Sequence, residues 1–236
     1  MAYIDGFVLA VPAGNKEVYR KLALEALPRF KEYGAKRLVE AWEDDVPDGK
    51  VTDFKGAVKA QPGEVVVFSW IEYPDKATRD KSNERMMSDP GMKEIKDMPF
   101  DAQRMIYGGF TPLSDEGRRE RPGYVDGMVT PVPAASQDAY RELAARHARL
   151  LREFGAIRVV DAWGDDVRDG RTTDFKGAVK ANGDETVVFS WIEWPSKEVR
   201  DLAWQKAMSD SRMRDEQMPF DGKRMIYGGF APIVDE

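Results

Sequence analysis

The chain is one sequence unit written twice, and this restricts its architecture more than any other feature. Tyr3-Ile4-Asp5-Gly6 recurs as Tyr124-Val125-Asp126-Gly127, an offset of 121 residues. The same offset carries Ala41-Trp42 onto Ala162-Trp163, TDFKGAVKA at Thr52 onto its copy at Thr173, and VVFSWIE ending at Glu72 onto the copy ending at Glu193. A deletion near Asp97 changes the offset to 120, after which MPFD (Met98, Met218) and RMIYGGF (Arg104, Arg224) align again; about half of the aligned positions are identical. Charge divides as evenly: 19 basic and 22 acidic residues lie in 1–120, 17 and 20 in 121–236, so each half nets −3. A period this long makes each copy a domain rather than a solenoid unit. Residues 1–113 and 123–236 are the expected domains, and 114–122, charged and carrying Gly and Pro, the expected linker.

Each copy carries signals for four strands and two long helices. Residues 3–11 alternate β-favouring side chains up to Pro12 and read as the first strand. Asn15 reads as the N-cap of a helix with the apolar stripe Val18, Leu22, Ala26, Phe30 and Tyr33, widened by Ala23 and Leu27, bent at Pro28 and stopped at Gly34. Residues 36–44 and 65–73 read as the second and third strands. Asp75 caps a second helix to about Ser88, a further turn follows Pro90, and 104–110 form the fourth strand. Residues 52–60 are open between a short helix capped by Asp53 and an edge strand. The order β-α-β-(short element)-β-α-β is the ferredoxin-like pattern, an antiparallel sheet with both helices on one face. One such unit leaves a sheet face uncovered, and the second copy is the economical cover. The expectation is an α+β protein in which the sheets of two ferredoxin-like units face each other, leaving the chain a monomer or a weak higher oligomer.

The third strand has two unlike faces: Val65, Val67, Ser69 and Ile71 are small, whereas Val66, Phe68, Trp70 and Glu72 are bulky. If the smooth face of every strand packs on helices, the face between the sheets carries Tyr3, Asp5, Phe7, Glu40, Trp42, Asp44, Trp70, Glu72, Met105 and Tyr107. The second copy adds Tyr124, Asp126, Asp161, Trp163, Asp165, Trp191, Glu193 and Tyr227. Unpaired buried carboxylates cost several kcal/mol each, so these need partners, raised pKa values, water or a ligand. Two sheets closing around a cavity would let Trp and Tyr hold a flat apolar ligand while a carboxylate moves protons. Alternatively, the aromatics fill the core and the acids pair with Lys or Arg at strand ends.

Composition narrows the chemistry further. With 42% hydrophobic and 33% charged residues the chain is no disordered or low-complexity polymer. There is no Cys, which removes disulfides, thiolate nucleophiles and Cys-based metal sites. The single His is His147, which replaces Ala26 on the apolar stripe; it is a packed residue or a catalytic one. Trp204 for Asn83, Ala207 for Met86 and Gly164 for Glu43 are further differences between the copies. The segment Asp44-Asp45-Val46-Pro47-Asp48-Gly49 fails as an EF-hand at Val46 and Lys55, and no metal is expected. Arg79-Asp80 and Arg200-Asp201 read as surface or capping charges, and Gly108-Gly109 as a place of close approach. A net charge of −6 and pI near 5.1 argue against nucleic acid. No segment has the length or apolarity of a bilayer span, so no membrane partner is expected and the protein reads as soluble and cytoplasmic.

The stretches YIDGFVLAVP, VEAWEDDVPDGKVTDFKGAVKA, VVFSWIEYP, MMSDPGM, MPFD and RMIYGGF closely resemble the YbaA-like family (DUF1428) of small uncharacterised bacterial proteins, and the resemblance covers each copy almost end to end. It implies a dimeric α+β barrel in which two units normally pair as a homodimer. The wider superfamily includes cofactor-independent monooxygenases, lactone isomerases, haem-handling enzymes and plain ligand binders; the family itself supplies no activity, cofactor or catalytic residue. This chain departs in being fused, and its second copy reads AMSDSRM for MMSDPGM.

The functional expectation is therefore a small-molecule enzyme, an oxygenase or isomerase acting without a cofactor on an aromatic or polyketide-like compound. Catalytic candidates are Glu72, Glu193, Tyr107, Tyr227 and His147. Ligand-binding candidates are Tyr3, Asp5, Trp42, Trp70, Tyr124, Asp126, Trp163 and Trp191. The rival is a non-catalytic binder or stress-associated protein using the same cavity, and a third outcome is a filled core with no site there. Haem is disfavoured because only His147, or a Tyr, could ligate it.

Overall fold

A computed structural model of the chain describes residues 2–90, 98–214 and 217–236, with the side chain of Arg214 excepted. The first copy contributes β1 (Tyr3–Pro12), α1 (Lys16–Glu32), β2 (Arg37–Asp45), α2 (Phe54–Ala57), β3 (Glu64–Tyr73), α3 (Lys76–Ser88) and β4 (Ile106–Gly117). The second follows the same order as β5 (Tyr124–Pro133), α4 (Gln137–Glu153), β6 (Arg158–Asp166), α5 (Phe175–Ala178), β7 (Glu185–Trp194), α6 (Lys197–Ser209), a short helix α7 (Ser211–Arg214) and β8 (Ile226–Asp235). The turn expected after Pro90 runs into 91–97, outside the described residues.

Local chemistry fixes most of these boundaries. The Asp75 side chain accepts from the Thr78 N–H at the start of α3, and Ser196 accepts from Val199 at the start of α6. Asp53 accepts from the Gly56 N–H, which makes 54–57 the short helix rather than an edge strand. Gly34 takes a positive φ of 106° just beyond α1. Asn15 sits at the α1 N-cap without capping it; its amide instead donates to the Pro99 carbonyl. Helix α1 is rotated slightly from the expected stripe: Val18 is exposed and Tyr19 is buried.

The eight strands close into one antiparallel barrel in the order β1-β3-β2-β8-β5-β7-β6-β4. Two seams, β2 with β8 and β4 with β6, join the halves. Strand β4 runs well past the expected 110: Ser114 to Gly117 pair with Asp161 to Arg158 of β6, so the first four residues of the expected linker are sheet. Its polar, charged sequence hides a strand because its pairing partners, and the Arg158 that Asp115 receives, belong to the other copy.

The barrel interior corrects the face expected for three strands of each copy. Phe68 and Trp70 do point inward, but β1 and β2 turn small residues in beside them, and β4 turns in Ile106, Gly108 and Phe110 rather than Met105 and Tyr107. Trp70 lies opposite Gly6 on one side and Val39 on the other; Phe68 lies opposite Val8 and Ala41. Directly opposed residues share a face, so the large rings of the third strand are matched by small neighbours, and Tyr3, Asp5, Glu40 and Trp42 face the helices instead. Phe68 stacks on Phe189 at 4.5 Å and Trp70 on Trp191 at 4.7 Å, with Phe54, Phe110, Phe175 and Phe230 packed around them.

Candidate functional site

The space between the half-sheets, where a ligand was expected, is thus occupied by rings. Trp70 and Trp191 are fully buried against each other and form core rather than ligand walls. Glu72 and Glu193 lie at the end of this stack, equally buried. Arg158 donates to Glu72 at 2.6 Å and approaches Glu193 at 3.3 Å, while Arg37 donates to Glu193 at 2.8 Å. Asp115 and Asp235 hold the outer sides of Arg158 and Arg37, and the indoles of Trp70 and Trp191 donate to the two glutamates. Burial would raise the Glu72 pKa, but the Arg158 guanidinium overrides it and holds the carboxyl below the usual range. An ionised, fully partnered carboxylate has no proton to exchange near neutrality, so acid–base chemistry does not rest on Glu72. This is an electrostatic staple between the copies.

A second correction concerns Arg79 and Arg200, expected at the surface. Arg79 is buried; its Nε donates to Asp5 at 2.6 Å and its Nη1 to Asp166 of the other copy at 2.8 Å. Arg200 repeats this with Asp126 at 2.8 Å and Asp45 at 2.7 Å. Tyr3 donates to Asp165 and Tyr124 to Asp44, again across the halves. Asp126 also receives the indole N–H groups of Trp194 and Trp204. Tyr3, Asp5, Tyr124 and Asp126 therefore build the seam rather than a cavity wall. The glycines at 109 and 229 leave room for these tyrosines: a Cβ on Gly109 would sit 2.5 Å from the Tyr3 hydroxyl. Asp44 and Asp45 are engaged here, Asp48 pairs with Lys55, and Asp53 caps α2.

Open space lies on the other side of the sheet, under the long helix of each half. In the first half a half-open cavity of about 230 Å³ is lined by Leu22, Ala23, Ala26 and Phe30 of α1, Phe7, Leu38 and Ile71 of the sheet, and Phe100. Its polar end is Glu40, which accepts from the Tyr19 hydroxyl at 2.6 Å and is also hydrogen-bonded by Ser69. In the second half the corresponding cavity, about 280 Å³, has Asp161 at its polar end, accepting from Tyr140 at 2.9 Å and Ser190 at 2.7 Å. Burial pushes the Glu40 carboxyl up to about 7 against the opposing hydrogen bonds, and raises Asp161 likewise. Both tyrosines are held far above the ordinary phenol value, so each remains a donor.

His147, on α4, lines the second cavity and acts on Asp161 as a charge that favours its ionised form. Trp42 and Trp163 flank the cavity tyrosines, with ring centroids 6.2 Å from Tyr19 and 6.4 Å from Tyr140. Tyr107 and Tyr227 lie outside, each about half exposed. Of the expected residues, then, the structure brings His147 to a cavity, Trp42 and Trp163 beside one, and the others to core, seam or surface. Glu40 and Asp161, expected on the face between the sheets but not among the catalytic candidates, lie instead on the helix side; the residues missed were their partners Tyr19 and Ser69, with the counterparts Tyr140 and Ser190. The sequence signal for these polar ends was an acid inside an apolar strand, RLVEAW and RVVDAW, present in both copies.

Comparison with known proteins agrees with the duplication. The model of a family described as protein of unknown function, DUF1428, matches residues 2–102 and again 123–222. The uncharacterised protein YbaA of Escherichia coli K12 is 63% identical over 117 residues, which is 49% of this chain and 100% of that protein; YbaA of Shigella flexneri gives the same figures. Two solved structures share the fold at 10% identity. One, from Lactobacillus acidophilus NCFM, has a TM-score of 0.58 over 99% of this chain and 95% of its own. The other, from Fusobacterium nucleatum, has a TM-score of 0.52 over 100% and 94%. Both are provisionally named monooxygenases. The shared architecture is an α+β fold around an antiparallel eight-stranded barrel, here closed within one polypeptide.

Proposed function

The chain belongs to the DUF1428 family of proteins of unknown function, and from that premise we propose that it is a small-molecule enzyme of the dimeric α+β barrel type, working by proton transfer in the cavity beneath each long helix. Each copy is taken as one ferredoxin-like unit, and the paired units as a soluble, cytoplasmic monomer. The observation that carries this reading is the buried Glu40 carboxyl, poised near neutrality beside the Tyr19 hydroxyl at the polar end of an apolar cavity. A base is most effective when its pKa lies near the working pH. The cavity walls fit a compact apolar compound, such as an aromatic or polyketide-like one, with an acidic C–H or phenolic O–H. In the proposed step that bond loses its proton to a Glu40 oxygen, which becomes the neutral acid, and the electron pair stays on the substrate. Tyr19 and Ser69 fix the orientation of the carboxyl. Return of the proton to another carbon gives an isomerase. Reaction of the anion with dioxygen gives an oxygenase, which the provisional names of the two structural neighbours favour. No cofactor is required for either proton movement.

The test is incubation of the protein with a complex small-molecule extract, followed by mass spectrometry, alongside the Glu40→Gln/Asp161→Asn variant. Compounds consumed by the native protein and left intact by the variant are expected. Compounds retained by both proteins and consumed by neither would replace the enzyme with a non-catalytic binder.

A further inference from the structure

We propose that the second cavity selects a neutral compound with an oxygen at each end of an apolar body, and that Thr130 is the residue that reads the end remote from Asp161. The proposal rests on reading this cavity as a binding site. Thr130 lies on β5, is only 2% exposed and lines the cavity. Among the described residues nothing bonds to its hydroxyl, whereas every side-chain oxygen sealed from solvent there has a partner, so the hydroxyl opens onto the cavity. A polar group held in so apolar a place is costly until something that enters the cavity bonds to it.

Strand register sets this hydroxyl apart from the carboxylate. Thr130 pairs with Val188 of β7, and Ser190, two residues along the same strand, pairs with Asp161 of β6. Two strand spacings and two residues of rise put Thr130 and Asp161 roughly 12 Å apart at their Cα atoms, on one face of the sheet. Asp161 with Tyr140 and Ser190 makes one polar end and Thr130 the other, while Leu143, Leu151, Ile192 and Phe220 supply apolar wall. A threonine hydroxyl both donates and accepts, so a phenol, an alcohol or a carbonyl oxygen satisfies it without carrying charge into the cavity. A site that bonds a substrate oxygen rejects the analogue lacking it, because its own polar group is then left unpaired. In the first copy Leu9 stands at this position and lines the first cavity, and its side chain offers no such bond.

Two probes of one ring system test this: 2,6-dihydroxynaphthalene, and 2-naphthol, which lacks the second oxygen. Both are titrated into the full chain with its methionine methyl groups isotopically labelled for NMR, where Met128 reports the second cavity and Met105 the first. At Met128 the diol is expected to bind the native protein about tenfold more tightly than 2-naphthol does. Thr130→Val, which keeps the shape and loses the hydroxyl, should remove that advantage, and Thr130→Ser, which keeps the hydroxyl, should retain it. Met105 should respond alike in all three proteins. Equal affinity of the native protein for the two probes, or equal diol affinity in the native and Thr130→Val proteins, would overturn the role of Thr130 and leave the cavity as a site. Failure of both probes to shift Met128 in the native protein would overturn the reading of this cavity as a binding site and the proposal with it.

Discussion

Gly127 lies beneath the ring of Phe68 from the opposite copy, so close that a β-carbon there would stand 2.7 Å from the ring carbons. Gly6 meets Phe189 reciprocally, at 3.0 Å. Neither ring can retreat, because each stacks on the other at 4.5 Å. Gly127→Ala is therefore expected to destabilise the protein by about 1–3 kcal/mol through overpacking, and Gly6→Ala by less. Denaturant unfolding of the two variants checks the order. Equal or increased stability for Gly127→Ala would contradict a filled, rigid barrel interior.

The same contact explains what the sequence could and could not disclose. The repeat, the strand and helix order and the caps at Asp53 and Asp75 follow from local patterns, and so does the need for the two copies to cover each other. Which face of β1 or β2 points inward does not, because alternation defines two faces without saying which meets the partner. Gly6 and Val39 turn inward only because Trp70 lies between them. The burial of Arg79 was equally illegible, since Asp166 comes from the other copy. Glu40 could be seen as an acid in an apolar strand, but its pairing with Tyr19 depends on how α1 is rotated over the sheet.

Glu40 should leave a signature in the pH dependence of stability. Its carboxyl is raised from 4.5 to about 7 in the folded protein, so between those values the native state holds a proton that the unfolded chain has lost. Its contribution accordingly falls as pH rises through this window, and the penalty is complete above about 7. Glu40→Gln removes that penalty. The variant is expected to match the native protein near pH 4.5 and to exceed it by roughly 2–3 kcal/mol at pH 8. Urea unfolding at several pH values measures the difference, and a difference independent of pH would show that Glu40 does not titrate there.

Arg158 predicts the opposite sign. It is fully buried and holds Glu72, Asp115 and, more distantly, Glu193. Arg158→Met leaves these acids to Arg37 and Arg119, at an expected cost of about 3–5 kcal/mol at pH 7. The Glu72 pKa lies below its unfolded value, so its stabilising contribution is present above the unfolded pKa and fades as pH falls through the folded one. The gap between variant and native protein should therefore narrow in acid, where the abandoned carboxylates can take protons. A gap that widens below pH 4.5 would mean that the cluster does not act through ionised carboxylates.

Cutting the chain tests how the two copies depend on each other. Residues 1–117 alone would expose the β2 edge that pairs with β8, the β4 edge that pairs with β6, and the inward faces of Phe68 and Trp70. Those edges are complementary, since β4 meets β6 here and β6 is the second-copy counterpart of β2. Two identical halves can therefore close the same barrel, with β4 of each on β2 of the other. Single-copy relatives of 117 residues establish that a chain of this length occurs alone. Sedimentation equilibrium of residues 1–117 is expected to give twice the chain mass at micromolar concentration, with Phe68 stacking on its own symmetry mate. Phe68→Ala, which removes that stack, should shift the half-chain toward monomer while costing the fused protein about 3–5 kcal/mol without dissociating it. A stable, folded monomer of the unaltered half would show that the inward face needs no cover, contrary to the way every inward-facing ring is used in the full chain.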